Sequence, residues 1–246
     1  ALVLILGTIY AFLFLVATIC LVVGVALRII RYSRTPAPLV IPTTPAPTTT
    51  GGVVSLMFRE VVLFESLFKG SKWTWLFGWL FHFGLVVALL RHLRYFTEPV
   101  WRWVEVIQWV GLYGGGVMLF GLLGLWARRF LVDRVRYISA ASDHLMLALL
   151  VAIAGSGLAI KYVVHTDIVA LKAFTRGLLV FDWQPLPAEP LLLMHLTLVI
   201  LLMVIFPFSK LLHAPGVFFS PTRTMKDTPR EKRHSAPWAD EINRST

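Results

Sequence analysis

Residues 75–96 read WLFGWLFHFGLVVALLRHLRYF, an apolar run that holds two histidines. Its length matches the roughly 20 apolar residues that a helix needs to cross the hydrocarbon core of a bilayer. Backbone groups in hydrocarbon have no water to bond, so such a run is helical. Together with four similar runs, it predicts an all-α integral membrane helical bundle with five transmembrane helices, at residues 2–26, 75–96, 106–126, 145–164 and 191–212.

The composition supports a membrane protein. Of the 246 residues, 57% are hydrophobic and 15% are charged, against roughly 25% charged in soluble domains. The alternation of polar and apolar residues that is typical of a membrane barrel is absent. The single cysteine, Cys20, excludes an intrachain disulfide, a cysteine-rich metal cluster and a covalently attached haem. The first apolar run exceeds the hydrophobic region of a signal peptide, so we expect a first span there.

The net charge of +10 indicates topology rather than nucleic-acid binding, because the basic residues lie in the loops that flank the apolar runs. Most of them fall on one side of the predicted bundle. The exceptions are Arg91, Arg94, Arg102, Lys161, Lys172 and Arg176. Basic loops stay on the cytoplasmic side. We therefore predict a multi-pass protein of a prokaryotic cytoplasmic (inner) membrane, with the N-terminus outside and the C-terminus in the cytoplasm.

Three segments are predicted. Residues 1–72 hold the first transmembrane helix, a Pro- and Thr-rich linker at 35–52, and a segment at 53–68 that is either an amphipathic helix on the inner face or an ordinary packed connector. Residues 73–213 form a four-helix core. Residues 214–246 form a basic cytoplasmic tail.

Four of the seven histidines lie within the predicted second and fifth spans: His82, His92, His195 and His213. Ionisable groups at such depth are costly and usually functional. The two spans run antiparallel, so His92 pairs with His195 near the outer face, and His82 pairs with His213 toward the cytoplasm. The other three, His144, His165 and His234, are expected to be solvated or interfacial.

The spacing of the histidines constrains these pairs. Ten residues from His82 to His92 rise about 15 Å, and eighteen from His195 to His213 rise about 27 Å over five turns. His195 and His213 are therefore expected on one face of the fifth span. Helix tilt and a kink at Pro207 must absorb the difference of about 12 Å.

Two neutral imidazoles from facing helices fill both axial positions of a haem iron, which is then closed to oxygen and suited to electron transfer. Two such pairs predict two b-type haems at two membrane depths. Zinc or di-iron sites fit poorly, because they need carboxylates or histidines clustered at short helical spacing. A proton relay and buried structural histidines remain open as alternatives.

Further residues join the predicted site. Arg91 and Arg94 flank His92 and either meet haem propionates or snorkel to the headgroups. Gly84 and Gly115 either leave room for a flat macrocycle or serve close helix packing. Polar residues on the outer side are candidates for quinone contact, namely Glu98, Glu105, Gln108 and His165.

The stretch His82-Phe-Gly-Leu-Val-Val-Ala-Leu-Leu-Arg-His92, with His195 and Phe206-Pro-Phe-Ser-Lys-Leu-Leu-His213, resembles the gamma subunit family of respiratory nitrate reductases. The resemblance covers roughly residues 73–213, includes Asp143 and matches both histidine spacings. It implies a diheme cytochrome b with axial pairs His92–His195 and His82–His213. It also implies menaquinone or ubiquinone near the outer haem, and electron exchange with a cytoplasmic iron–sulfur subunit.

Two features depart from nitrate reductase. Ile107 stands where that family has a lysine linked to quinone binding. The tail at 220–238 is more similar to DsrM-type cytochromes b of the sulfite-reduction-associated Dsr complex. That resemblance implies a partner related to heterodisulfide reductase, further membrane and periplasmic subunits, and sulfur metabolism.

The chain is thus expected to be an electron-transfer subunit in the lipid bilayer without a complete catalytic site of its own. The alternatives are a nitrate reductase gamma subunit, a transporter or proton channel with a histidine relay, and a haem-free membrane anchor.

Overall fold

The computed structural model describes residues 2–35 and 45–227, and all regular structure among them is helical. Five of its segments are long and apolar enough to cross a membrane: Leu2–Arg34, Lys72–Tyr95, Arg102–Leu131, Ala141–Val164 and Pro190–Phe208. The predicted all-α bundle with five membrane-spanning helices is confirmed. The α-helices are α1 (Leu2–Arg34), α2 (Thr50–Phe58), α3 (Glu65–Gly70), α4 (Lys72–His92), α5 (Arg102–Leu131), α6 (Asp133–Ile138), α7 (Ala141–Ala159), α8 (Ile168–Val180), α9 (Pro190–Ile205), α10 (His213–Gly216) and α11 (Pro221–Thr224).

Parts of two predicted segments lie outside the described residues. They are residues 36–44 of the Pro- and Thr-rich linker and residues 228–246 of the basic tail. The second part includes Arg230, Lys232, Arg233, His234 and Arg244. The division into 1–72, 73–213 and 214–246 stays a prediction.

The chain packs as two units. The first comprises Ala1–Arg28 and Phe64–Leu212, and it contains the membrane-spanning parts of α4, α5, α7 and α9 and most of α1. The second comprises Ile29–Leu63 and His213–Thr246. Within this second unit, an Arg223–Glu60 ion pair of 2.9 Å joins α11 to a short π-helical segment that follows α2.

Glycines on α5 let α4 approach it closely. A Cβ atom at Gly84 of α4 would lie 2.5 Å from the backbone nitrogen of Met118, and one at Gly121 of α5 would lie 2.6 Å from that of Phe81. Gly114 faces Val87 on the same interface. Small residues at such positions let helices in lipid gain van der Waals contact, which replaces the hydrophobic drive available in water.

The remaining long helices extend this pair. The helix α7 packs against both α5 and α9. The helix α1 contacts α9 through the Tyr10 hydroxyl, which lies 2.7 Å from Thr197 Oγ1 and donates to the carbonyl of Leu193 at 3.1 Å. Near the other end of α1, Gly24 lies against the ring of Pro207. Most other side chains of α1 are apolar and exposed, as a lipid-facing surface requires.

The fifth span ends earlier than predicted. The helix α9 stops at Ile205, and 3₁₀ turns follow at Phe206–Phe208 and Lys210–Leu212, with Ser209 extended between them. Pro207 cannot donate a backbone hydrogen bond, and its ring opposes a continued α-helix. The expectation that His195 and His213 share one face of a continuous helix is therefore wrong, and His213 begins α10 outside the span.

A buried carboxylate fastens the segment after this break to α7. Asp143 is 7% exposed and accepts hydrogen bonds from Lys210 Nζ at 2.7 Å and Arg129 Nη1 at 3.4 Å. Its Oδ2 also accepts from the backbone nitrogen of Ala140 at 3.1 Å, which caps the start of α7. Asp143 thus ties α5, α7 and the post-break segment together at one end of the bundle, here called the Asp143 end.

Replacing Gly84 by Ala should push α4 away from α5. The new methyl group would meet backbone atoms of α5, which cannot move aside by changing a side-chain rotamer. We expect a loss of about 1–3 kcal/mol, as for other overpacked interiors. Thermal unfolding in detergent micelles measures this. Gly116→Ala on α5 is the control, because a Cβ atom at Gly116 would meet nothing within 4 Å. Equal stability of the two variants would contradict close packing at Gly84.

Replacing Asp143 by Asn should cost about 1–2 kcal/mol, because the new amide group turns donors toward two basic side chains. The same unfolding measurement applies, with Asp133→Asn as the matched control. Asp133 is 89% exposed and pairs with Arg136 at 2.8 Å. Such a surface pair contributes little. A loss no larger than that of the control would show that Asp143 does not hold the segment.

Candidate cofactor site

His92 is the last residue of α4, and a backbone carbonyl of the same helix holds its ring. Its Nδ1 lies 2.6 Å from the carbonyl oxygen of Ala88. A carbonyl only accepts hydrogen bonds, so Nδ1 carries the hydrogen and the lone pair resides on Nε2. His82 has the same arrangement, with its Nδ1 2.7 Å from the carbonyl oxygen of Gly78. Both rings therefore hold the tautomer in which Nε2 can ligate a metal.

His195 reaches the same tautomer through a different helix. Its Nδ1 lies 2.8 Å from the Ser156 hydroxyl on α7. The Ser156 hydroxyl hydrogen is donated to the carbonyl of Ile153 at 3.0 Å. With the serine hydrogen directed to Ile153, the serine oxygen accepts from Nδ1 of His195, and we assign the lone pair of the imidazole to Nε2.

Gly157 gives the His195 ring its space. A Cβ atom there would lie 3.2 Å from Cε1 of that ring. Neither Ser156 nor Gly157 was among the predicted site residues. The sequence did carry a signal, because Gly155-Ser156-Gly157 places a hydroxyl between two glycines within an otherwise apolar span.

His92 and His195 lie near one another at one end of the bundle, and their pairing at a haem stays a prediction. The His92 side chain is exposed at the end of α4. We call the end of the bundle with these two residues the His92 end.

The donor set fits a haem iron better than another metal. Two neutral imidazoles with lone pairs on Nε2, carried by different helices, are the ligands of a six-coordinate b-type haem. Within residues 2–35 and 45–227, no group of three or more His, Cys, Asp or Glu side chains is placed to hold a metal ion. Zinc and di-iron sites use such larger sets.

His82 lies in an aromatic setting within the first unit. Its ring centroid is 4.7 Å from that of Phe81 and 5.0 Å from that of Phe64. Phe64 has φ of 53°, a left-handed conformation that is costly for a residue with a side chain. His213 lies in the second unit, exposed, at the start of α10. The pairing of His82 with His213 stays a prediction.

The two predicted arginines contact α5. The methylene chain of Arg91 covers Gly111, where a Cβ atom would lie 2.9 Å from Cδ of the arginine. Arg94 donates from Nη1 to Oε1 of Gln108 at 3.3 Å. Nε2 of Gln108 is buried and has no hydrogen-bond partner. The roles of Arg91 and Arg94 at haem propionates stay predictions.

The two glycines predicted to contact a cofactor lie against neighbouring helices. Gly84 faces the backbone of α5, and a Cβ atom at Gly115 would lie 3.1 Å from Cδ2 of Leu158 on α7. These contacts favour the helix-packing alternative for both glycines, and a cofactor contact at either stays a prediction.

The helix α8 covers the turn that follows His92. The Thr175 hydroxyl donates to the carbonyl of Tyr95 at 2.6 Å. Lys172 forms an ion pair with Glu98, and Arg176 lies 3.9 Å from the same carboxylate. The hydrogen bond from Lys172 holds the pKa of Glu98 below its usual range. Another quinone candidate, His165, is exposed and ends the fourth span in a left-handed conformation.

Comparison with known proteins gives consistent results. Residues 66–230 match the family described as nitrate reductase gamma subunit. Two relatives are named Hdr-like menaquinol oxidoreductase cytochrome b-like subunit. The one from Archaeoglobus fulgidus is 35% identical, over 91% of this chain and 81% of its own. The one from Archaeoglobus profundus is 34% identical, over 88% and 78%. The respiratory nitrate reductase 1 gamma chain of Escherichia coli is 28% identical, over 54% and 68%.

The Glu98–Lys172 pair predicts a pH dependence for the attachment of α8. Because the pKa of Glu98 is lowered by folding, the pair contributes stability above the unfolded pKa and loses it as pH falls through the folded pKa. We expect hydrogen exchange of the α8 amides, corrected for intrinsic rates, to quicken below about pH 4. Glu98→Gln should show the quicker exchange at neutral pH. The control is Glu105→Gln, which replaces an exposed carboxylate on α5 and should leave the exchange of the α8 amides unchanged. Identical exchange in the two variants would contradict the role of Glu98 in attaching α8.

Proposed function

Since the chain belongs to the nitrate reductase gamma subunit family, we propose that it is a membrane cytochrome b subunit that carries electrons between a quinol and an iron–sulfur partner. The observation that supports this proposal is the shared hydrogen-bonding pattern of His92 and His195, whose Nδ1 atoms each contact a protein oxygen. Each imidazole commits its Nδ1 hydrogen to a protein acceptor, so the Nε2 atoms, one from α4 and one from α9, would hold the haem iron.

In this proposal, His92 and His195 hold one b haem at the His92 end, and His82 with His213 hold a second. A b haem with two histidine ligands supplies one-electron transfer without binding oxygen. The residues of this chain fix the ligand tautomers and exclude water from the apolar interior. The second site is supported by the tautomer of His82, by its aromatic surroundings and by the family resemblance.

Menaquinol is the proposed electron donor. Two relatives carry that substrate in their names, and the chain offers a suitable polar group near His92. Arg94 holds the amide of Gln108 by its oxygen, and the buried Nε2 of Gln108 has a hydrogen to donate. A quinone carbonyl accepts such a bond. Ile107, which precedes Gln108, cannot supply the charge of the lysine found there in nitrate reductases.

The partner is proposed to bind at the Asp143 end. Basic residues crowd the connection between α5 and α7, namely Arg128, Arg129, Arg134 and Arg136, which favours a cytoplasmic location for this end. The names of the two archaeal relatives point to a partner of the heterodisulfide reductase type. The tail at 220–238, partly outside the described residues, supports a link to sulfur metabolism. We propose these assignments with the N-terminus on the outer side.

Haem content of the purified chain tests this function. We expect a Soret band and a reduced α-band at two haems per chain, with both bands reduced by a soluble menaquinol analogue. His92→Ala and His195→Ala should each lower the content to one haem, because either change removes an axial ligand of the same site. His82→Ala should also leave one haem, of different midpoint potential.

The control is His165→Asn, which keeps a residue that tolerates the left-handed conformation. This exposed histidine takes no part in either proposed pair, so two haems should remain. A wild-type protein without haem absorbance would contradict the proposal and favour a transporter or a haem-free anchor. Two haems in both His92→Ala and His195→Ala would contradict the pairing.

A further inference from the structure

We propose that Ser156 is a positioning residue that fixes the protonation and ring plane of His195, and thereby lowers the midpoint potential of the haem that His195 ligates. The inference rests on the proposed function, because it takes His195 as an axial ligand. Ser156 lies on α7, which contributes no histidine to either proposed haem site. Its part in the chemistry would thus be exerted through the imidazole of another helix.

The three proposed ligands whose Nδ1 partners are described above, His82, His92 and His195, are held in two different ways. His82 and His92 each donate to the backbone carbonyl four residues earlier in α4. Their ring orientation is therefore decided by one helix alone. His195 instead bonds across the interface to Ser156 of α7. The orientation of the His195 ring therefore depends on how α7 packs against α9.

The Ser156 hydroxyl is fixed in direction. The residue is 5% exposed, and its hydrogen is bound to the carbonyl of Ile153 at 3.0 Å. A buried hydroxyl with its hydrogen committed presents a lone pair, which is why it accepts from His195. In hydrocarbon the Nδ1 hydrogen has no water as a substitute partner, so loss of this acceptor is costly.

Gly157 makes the neighbouring surface complementary to the ring. A Cβ atom there would lie 3.2 Å from Cε1 and 3.7 Å from Nδ1 of His195. The preceding Gly155 has nothing within 4 Å of its Cβ position. Within Gly155-Ser156-Gly157, two adjacent residues thus serve the imidazole, one as acceptor and one by lacking a side chain. Helix packing alone would not require a hydrogen-bond acceptor and a missing side chain next to the same imidazole.

The chemical consequence concerns ligand basicity. An imidazole that donates its Nδ1 hydrogen acquires a more electron-rich Nε2, which stabilises ferric iron and lowers the reduction potential. Removing the acceptor makes Nε2 a weaker donor and raises the potential. Because His92 keeps its carbonyl partner, the effect should be confined to the haem held by His92 and His195.

Ser156→Ala in the full-length protein tests the proposal by potentiometric titration of both haems. The haem that disappears in His92→Ala identifies the signal to be followed. We expect its midpoint to rise, with the ferric-to-ferrous ratio at fixed potential falling about tenfold, which corresponds to about 59 mV for one electron. The other haem should keep its midpoint. Thr197→Ala is the matched control, since this hydroxyl on α9 bonds Leu193 and Tyr10 instead.

Two further variants keep the test decisive if Ser156→Ala loses the haem. Ser156→Cys keeps the volume but offers a weaker acceptor, so its midpoint should rise by less than that of Ser156→Ala. Gly157→Ala should rotate the His195 ring and change the low-spin ferric signal in electron paramagnetic resonance, whereas Gly155→Ala should not. A merely structural serine would lower the unfolding temperature without moving a midpoint.

Unchanged midpoints in Ser156→Cys, or in a Ser156→Ala protein that keeps both haems, would overturn the inference. Such a result would leave the proposed function intact, because both haems would be present. Absence of haem in the wild-type chain would instead refute the proposed function itself. The two failures are therefore told apart by the spectrum of the unmodified protein.

Discussion

Hydrocarbon offers no partner to an imidazole N–H, and this constraint governs how histidines can be placed inside the bundle. Each buried ring must give its hydrogen to an acceptor within the protein or bear the cost of leaving it unbonded. His82 and His92 meet the requirement with carbonyls of their own helix, and His195 meets it with Ser156 of α7. In all three the need to satisfy Nδ1 leaves the lone pair on Nε2. The same bond that makes the residue tolerable in the membrane therefore prepares it as a metal ligand.

The helix packing follows from a related limit, since lipid chains compete equally for apolar surface. Two helices gain van der Waals energy from association only where they pack against each other more closely than lipid chains would pack against either. The stripe of glycines on α5 allows this against Gly84 of α4, and it places His92 at a defined end of the pair. The helix α7 then packs between α5 and α9, where Ser156 and Gly157 meet the His195 ring. The position of one imidazole is set by the α4–α5 contact and that of the other by the α7–α9 contact.

Pro207 interrupts the helix between His195 and His213. Helix α9 carries His195 as far as Ile205, and the chain then turns through 3₁₀ segments to His213. The Asp143 carboxylate holds Lys210 of this segment against α7, so the break has a fixed attachment. A continuous helix would have spread the two ligands by about 27 Å, farther than their proposed partners on α4.

Hydropathy alone determined the five spans and the all-α class, because the length of an apolar run is a local property of the sequence. Tertiary structure decided which faces of those spans meet. It turned Gly84 and Gly115 toward neighbouring helices and ended α9 before the predicted limit. It also brought Ser156, which lies 39 residues earlier in the chain, and the adjacent Gly157 to His195. These outcomes depend on contacts between helices whose rotation about their own axes is not encoded in an apolar run, since lipid accepts any of their faces.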